Sequence, residues 1–123
     1  MAITATKITA SLTDQLWKIS SLEGAAGDEV ENLFDGSGTL YSFIVDVPSG
    51  SGTSYVRMAD TDAVTPGTTA PELLIPVKAT FKRTVTITGG LVFTNLSVWG
   101  TNTNLEAAAA DPADTSLLYL VLR

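Results

Sequence analysis

From Thr80 to Thr88 the chain alternates with a period of two: Phe81, Val85 and Ile87 fall on one side, Thr80, Lys82, Thr84, Thr86 and Thr88 on the other. Successive side chains of an extended strand point to opposite faces, so this spacing describes a half-buried β-strand. Arg83 interrupts the apolar side and belongs near its rim. The pattern recurs from Leu40 to Val47, with Tyr41, Phe43, Val45 and Val47 on one face and Leu40, Ser42, Ile44 and Asp46 on the other. Ser54 to Ala59 sets Val56 and Met58 against Tyr55 and Arg57.

Turn residues punctuate these stretches. Pro48-Ser-Gly-Ser-Gly-Thr53 reads as a turn joining Leu40–Val47 to Ser54–Ala59 in a hairpin, because proline presets φ and glycine allows positive φ. A long loop runs from Asp60 to Pro71. Glu72–Val77 is a further strand, and Pro76, which has no backbone donor, assigns it to a sheet edge. Gly89-Gly90 reads as a second hairpin turn, between the Thr80 strand and Leu91–Trp99. Leu105 to Ala110 suits one or two helical turns closed by Asp111-Pro112. Ile3–Thr9 and Gln15–Ser20 are weaker strands, and Gly24–Gly38 is a loop carrying Asp28, Glu29, Glu31 and Asp35. Ser116–Leu122 is the eighth strand. Leu117 to Leu122 contains no polar break, so cover on both faces is expected. Eight short strands with glycine and proline between them predict one all-β domain over 1–123: a β-sandwich, with a jelly roll as the favoured topology.

Charge narrows the partners. Only 16% of residues are charged, against about 25% in ordinary soluble domains, which suggests that part of the surface meets another protein. The net charge is −6 with seven lysines and arginines, of which Lys78, Lys82 and Arg83 lie close together. That balance opposes binding to a phosphate backbone, so no nucleic acid is expected. The first residues lack the basic head and apolar stretch of a signal peptide, and no apolar run approaches the roughly 20 residues of a membrane helix, so no membrane partner is expected.

Chemistry is narrowed further by what is missing. There is no histidine and no cysteine, which removes the commonest general base, thiol nucleophiles and most transition-metal ligands. Gly50-Ser-Gly52 has the wrong spacing for a serine-hydrolase elbow. Asp60 with Asp62, and Glu29 with Glu31, are the carboxylate pairs that a hydrolase would need; solvated loop charge is the plainer account of both. Asp60-x-Asp62 also resembles the start of a calcium loop, yet Pro71 falls where the final acidic ligand is required. Asp111 and Asp114 form a looser cluster. Trp17 and Trp99 suit sugar stacking or, more commonly, core packing. Asn95-Leu96-Ser97 is a glycosylation sequon without a secretory context. The expectation is therefore no enzyme: no catalytic residue, no cofactor and no metal site.

The stretch from Gly36 to Asn104 resembles small β-sandwich virion proteins of tailed phages, through Gly38-Thr-Leu-Tyr-Ser-Phe-Ile-Val-Asp46, Tyr55-Val-Arg-Met-Ala-Asp60, Pro66-Gly-Thr-Thr-Ala-Pro71 and Gly90-Leu-Val-Phe-Thr-Asn95. The resemblance implies a capsid decoration, or cement, protein that sits on the shell of the virion after synthesis in the host cytoplasm. Its implied partners are the major capsid protein and copies of itself, as a homotrimer. A tail or fibre module binding a host glycan is the alternative. Candidate contact residues for a partner or a second copy are Trp17, Phe34, Leu118, Leu120 and Leu122.

Overall fold

The computed structural model describes residues 4–10, 15–20, 30–103, 112, 114 and 116–123. Its eight strands are β1 (Thr4–Ala10), β2 (Gln15–Ser20), β3 (Gly38–Asp46), β4 (Thr53–Asp60), β5 (Leu73–Lys78), β6 (Lys82–Phe93), β7 (Leu96–Thr101) and β8 (Leu117–Leu122). The helical turns expected at Leu105–Ala110 lie outside the described residues. Among the described residues no helix is long and apolar enough to cross a membrane.

The strands form two antiparallel sheets, one of five in the order β1-β2-β8-β3-β6 and one of three in the order β5-β4-β7. From β2 onward the chain passes between the sheets in jelly-roll order. The fourth place of the small sheet, beside β7, is taken by a single bridge in which Val30 and Val98 exchange backbone bonds of 3.0 and 2.9 Å. The sandwich expected from the sequence is thus the fold, with one of its usual eight ladder strands represented among the described residues by that bridge and β1 added at the other sheet's edge.

Between the sheets lie Ile19 from β2, Leu40, Phe43 and Val45 from β3, Val56 and Met58 from β4, and Leu96 and Val98 from β7. Leu118, Leu120 and Leu122 complete this layer from β8, which pairs with β2 on one side and β3 on the other. All three leucines are 0% exposed, and at about 1.5–3 kcal/mol for each fully buried large side chain they anchor the centre of the larger sheet. Only one face of β8 is buried in this way. Leu117, Tyr119 and Val121 on the other face are half-buried, so the cover expected on both faces is corrected: neighbours such as Lys18, whose ammonium lies 5.9 Å from the Tyr119 ring centre, shield that face sideways.

Three local readings change. β3 and β4 are not a hairpin, because both edges of β3 are already taken by β6 and β8; residues 47–52 carry the chain across to the other sheet. Gly89-Gly90 is not a hairpin turn either. It lies inside β6, in a bulge where the register on β3 jumps from Leu40↔Leu91 to Ser42↔Thr86. Both glycines have positive φ, and a Cβ on Gly90 would stand 2.3 Å from the Thr39 methyl, so the chain bends there only because a side chain is missing. The break between β6 and β7 falls instead at Thr94-Asn95, whose two N–H groups donate to Asp60 Oδ1 at 2.9 and 2.8 Å. Pro76 stands on an edge strand, as expected.

Candidate functional site

The outer face of the small sheet is buried along β7 and at Arg57 and Ala59 of β4, while Leu74, Pro76 and Lys78 of β5 stay exposed. Arg57, Ser97, Trp99 and Thr101 are buried there, and Trp99 packs with Ala59 and Val64. Arg57 Nε donates to Thr101 Oγ1 at 2.9 Å and Nη2 donates to the Thr103 carbonyl at 3.1 Å. Trp99 at 1% exposure has no ring face to offer a sugar. Three of the carboxylates singled out in the sequence accept backbone N–H groups. Asp60 caps the β6–β7 turn, Glu31 accepts from the Val64 N–H, and Asp114 Oδ2 accepts from the Gly52 N–H at 2.8 Å. Asp62 is exposed, while Glu29 and Asp111 lie outside the described residues.

The proposed contact residues separate in the same way. Leu118, Leu120 and Leu122 are wholly internal, which corrects their assignment as contacts, since a partner cannot reach them in the folded chain. Trp17 and Phe34 pack partly buried against the core. Trp17 Nε1 donates to Gln15 Oε1 at 3.1 Å, and Phe34 meets Phe93 edge to face with ring centres 5.9 Å apart.

What the surface does present is a turn that sequence reading assigned to a strand face. Residues 78–81 link β5 to β6, with the Phe81 N–H donating to the Lys78 carbonyl at 3.1 Å and the Thr80 N–H to the Val47 carbonyl at 2.7 Å. The Ala79 N–H donates to the Gly52 carbonyl at 2.8 Å, and Ala79 is buried. These bonds hold Thr80 at a φ of 69°, a left-handed conformation that is unfavourable for a β-branched residue. The consequence is Phe81, which turns away from the core and is 60% exposed. Its assignment to the apolar face with Val85 and Ile87 is therefore corrected.

Around it lies a shallow open depression of about 290 Å³ lined by Val77, Lys78, Phe81, Lys82 and Arg83. All three charged side chains are exposed. Arg83 Nη1 donates to the Pro76 carbonyl at 3.3 Å, which draws the guanidinium over the gap between β6 and β5. Lys82 Nζ stands 4.0 Å from Asp46 Oδ2, a loose pair whose lysine remains 62% exposed. Three of the chain's seven cationic residues thus flank its most exposed aromatic ring, and residues 73–105 contain no carboxylate at all. The cations were visible as a cluster in the sequence. Their pairing with an outward Phe81 was not, because nothing in Ala79-Thr80-Phe81 announces a left-handed threonine.

No family model matches this chain, and no curated protein matches it. Among solved structures it is similar to a crystal structure of iron(II) HppE, with a TM-score of 0.44 at 12% identity over 98% of this chain and 50% of that one. It is similar also to a cupin superfamily protein from Desulfitobacterium hafniense DCB-2, with a TM-score of 0.40 at 11% identity over 98% of this chain and 76% of that one. A third is hydroquinone 1,2-dioxygenase from Sphingomonas sp. TTNP3 with 4-hydroxybenzoate bound, with a TM-score of 0.39 at 9% identity over 97% of this chain and 65% of that one. The chain spans half the length of HppE. None of the three is a virion protein and two are named for enzymes. The expectations of a capsid decoration protein, of a glycan-binding tail or fibre module and of no enzyme find no support among these neighbours and are dropped.

An iron centre of the kind named for HppE does not fit the residues present. Such centres draw on imidazole and carboxylate donors converging in one cavity. This chain has no histidine, and among the described residues the buried core side chains between its sheets are Leu, Ile, Val, Phe, Met and Ala and no three acidic groups lie close enough to share an ion.

Proposed function

We propose that the chain is a recognition domain that binds an anionic partner protein through Lys78, Phe81, Lys82 and Arg83. The observation that carries this reading is the convergence of three cations on one exposed aromatic ring in a chain of net charge −6. An aromatic ring supplies apolar contact area, and cations around it select carboxylates and repel basic surfaces. The strained Thr80 supports the same reading, because backbone strain that displays one side chain concentrates at functional sites. Folding alone gains nothing from an outward Phe81.

The test uses a short fluorescent peptide rich in Asp and Glu with interspersed Val and Leu, followed by anisotropy. Binding is expected to weaken steeply with added salt. It is expected to weaken further, by about tenfold or more, in Lys82→Glu and in Phe81→Ser. Unchanged affinity in both variants, with both melting like the parent, would refute the site.

A further inference from the structure

We infer that β6 is a strand-docking edge whose occupant is an extended acidic segment of the partner protein, a reading that rests on the site proposed above. β6 is the last strand of the five-stranded sheet, and among the described residues no strand pairs with its outer side. The ladder shows which of its backbone groups face outward. The Val47 N–H donates to the Phe81 carbonyl at 3.1 Å and the Val47 carbonyl accepts from the Thr80 N–H at 2.7 Å, so the Phe81 carbonyl and the Thr80 N–H point toward β3. In an antiparallel ladder bonded pairs alternate with pairs whose N–H and C=O point away. With Asp46↔Lys82, Ile44↔Thr84 and Ser42↔Thr86 in register, the backbones of Lys82, Thr84 and Thr86 face the open edge. The other side of β3 agrees with this phase: Thr39 and Arg123 exchange bonds of 2.9 and 3.0 Å, and stepping through the bulge leaves Ser42, Ile44 and Asp46 directed at β8.

The open edge starts inside the basic depression. Lys82 and Arg83 belong to both, and Lys82, Arg83, Thr84 and Thr86 are all exposed. Strand addition takes affinity from backbone hydrogen bonds and specificity from alternate side chains. Here the alternate positions begin with Lys82, so an incoming strand is favoured when its opposing side chain is acidic. A neighbouring apolar side chain then meets Phe81. Cations on an edge also keep it from pairing with its own kind. Two copies joined edge to edge would bring two basic margins together, whereas an acidic strand is attracted by the same charges.

Two perturbations test the docking without removing any charge. The first is Thr84→Pro, which deletes an outward N–H that pairs with no described strand; proline is tolerated in that setting. The second leaves the protein untouched and methylates alternate backbone nitrogens of the acidic peptide. We expect the melting temperature of Thr84→Pro to stay near that of the parent. Peptide affinity should fall by about tenfold in the proline variant and with the methylated peptide in one of its two alternating phases. Thr84→Val, which keeps the N–H, should bind normally. If backbone methylation in either phase and Thr84→Pro leave binding intact while Lys82→Glu abolishes it, the docked strand is refuted and the charged site stands. If Lys82→Glu also has no effect, both fall. Concentration-dependent dimers that Thr84→Pro abolishes would give the edge to a second copy and overturn the inference. So would binding to anionic lipid vesicles in place of the peptide.

Discussion

Replacing Leu120 by alanine, and separately Val121 by alanine, measures how differently the two faces of β8 are used. Leu120 lies opposite Trp17 on β2 and Phe43 on β3, with no exposed surface, whereas Val121 lies opposite Leu16 and Ser42 and is half-buried. A buried leucine cut to alanine loses the transfer energy of its methyl groups and leaves a cavity, together costing about 2.7–5 kcal/mol in well-packed cores. β8 sits in the middle of the larger sheet, with neighbours fixed on both sides, so the space cannot easily collapse. The upper half of that range, about 4 kcal/mol, is the expected value. For a domain of this size it corresponds to a fall in melting temperature on the order of 10–20 °C. Val121→Ala removes less surface, from a face that is already partly wet, and should cost about 1 kcal/mol or less. Urea unfolding of the two variants supplies the comparison, with the m-value checked to confirm that both unfold from the same compact state. Equal losses would mean that a further layer covers the outer face. A loss below about 1 kcal/mol for Leu120→Ala would mean that the inner face is not the core.

Gly90→Ala should destabilise by about 2 kcal/mol or more, from the positive φ together with the close approach of the Thr39 methyl. Gly89→Ala meets nothing within 4 Å and should cost only the conformational part, about 1 kcal/mol; equal losses in paired melts would remove the packing argument. Thr80→Gly should relieve the left-handed threonine and raise stability by up to about 1 kcal/mol in the same assay, and a loss of stability would show that the threonine is not strained.

The strands were legible wherever one face is buried and the other is wet. β3 and β6 showed in the alternation of Phe43 with Ile44 and of Val85 with Thr86, because period two is a direct imprint of a two-faced sheet; β4 alternated too, through the polar Arg57 beside Met58, although both are buried. Pro76 likewise disclosed an edge through its missing donor. Partnership between strands was less legible. Pro48 to Thr53 looks the same whether a chain turns back on its own sheet or crosses to the opposite one, and only the occupation of both β3 edges decides between them. Gly89-Gly90 misled for a related reason, since positive φ serves a bulge as well as a turn. At the candidate site, Lys78, Lys82 and Arg83 could be counted from the sequence. The orientation of Phe81 could not, because the bonds that turn it outward come from Val47 and Gly52, some thirty residues away.

The place of β8 also governs when the molecule can take shape as it is made. Its two neighbours, β2 and β3, are separated from it by roughly a hundred and by more than seventy residues, and neither pairs with the other. Until Leu122 has cleared the ribosome, the larger sheet is two disconnected fragments, β1-β2 and β3-β6, each with an open edge and an uncovered apolar face. Synthesis adds about 5–20 residues each second, so the nascent chain waits for seconds in that divided state, long enough to need shelter from other unfolded chains. One short strand then joins the fragments and closes the sandwich, which makes β8 the keystone in time as well as in space.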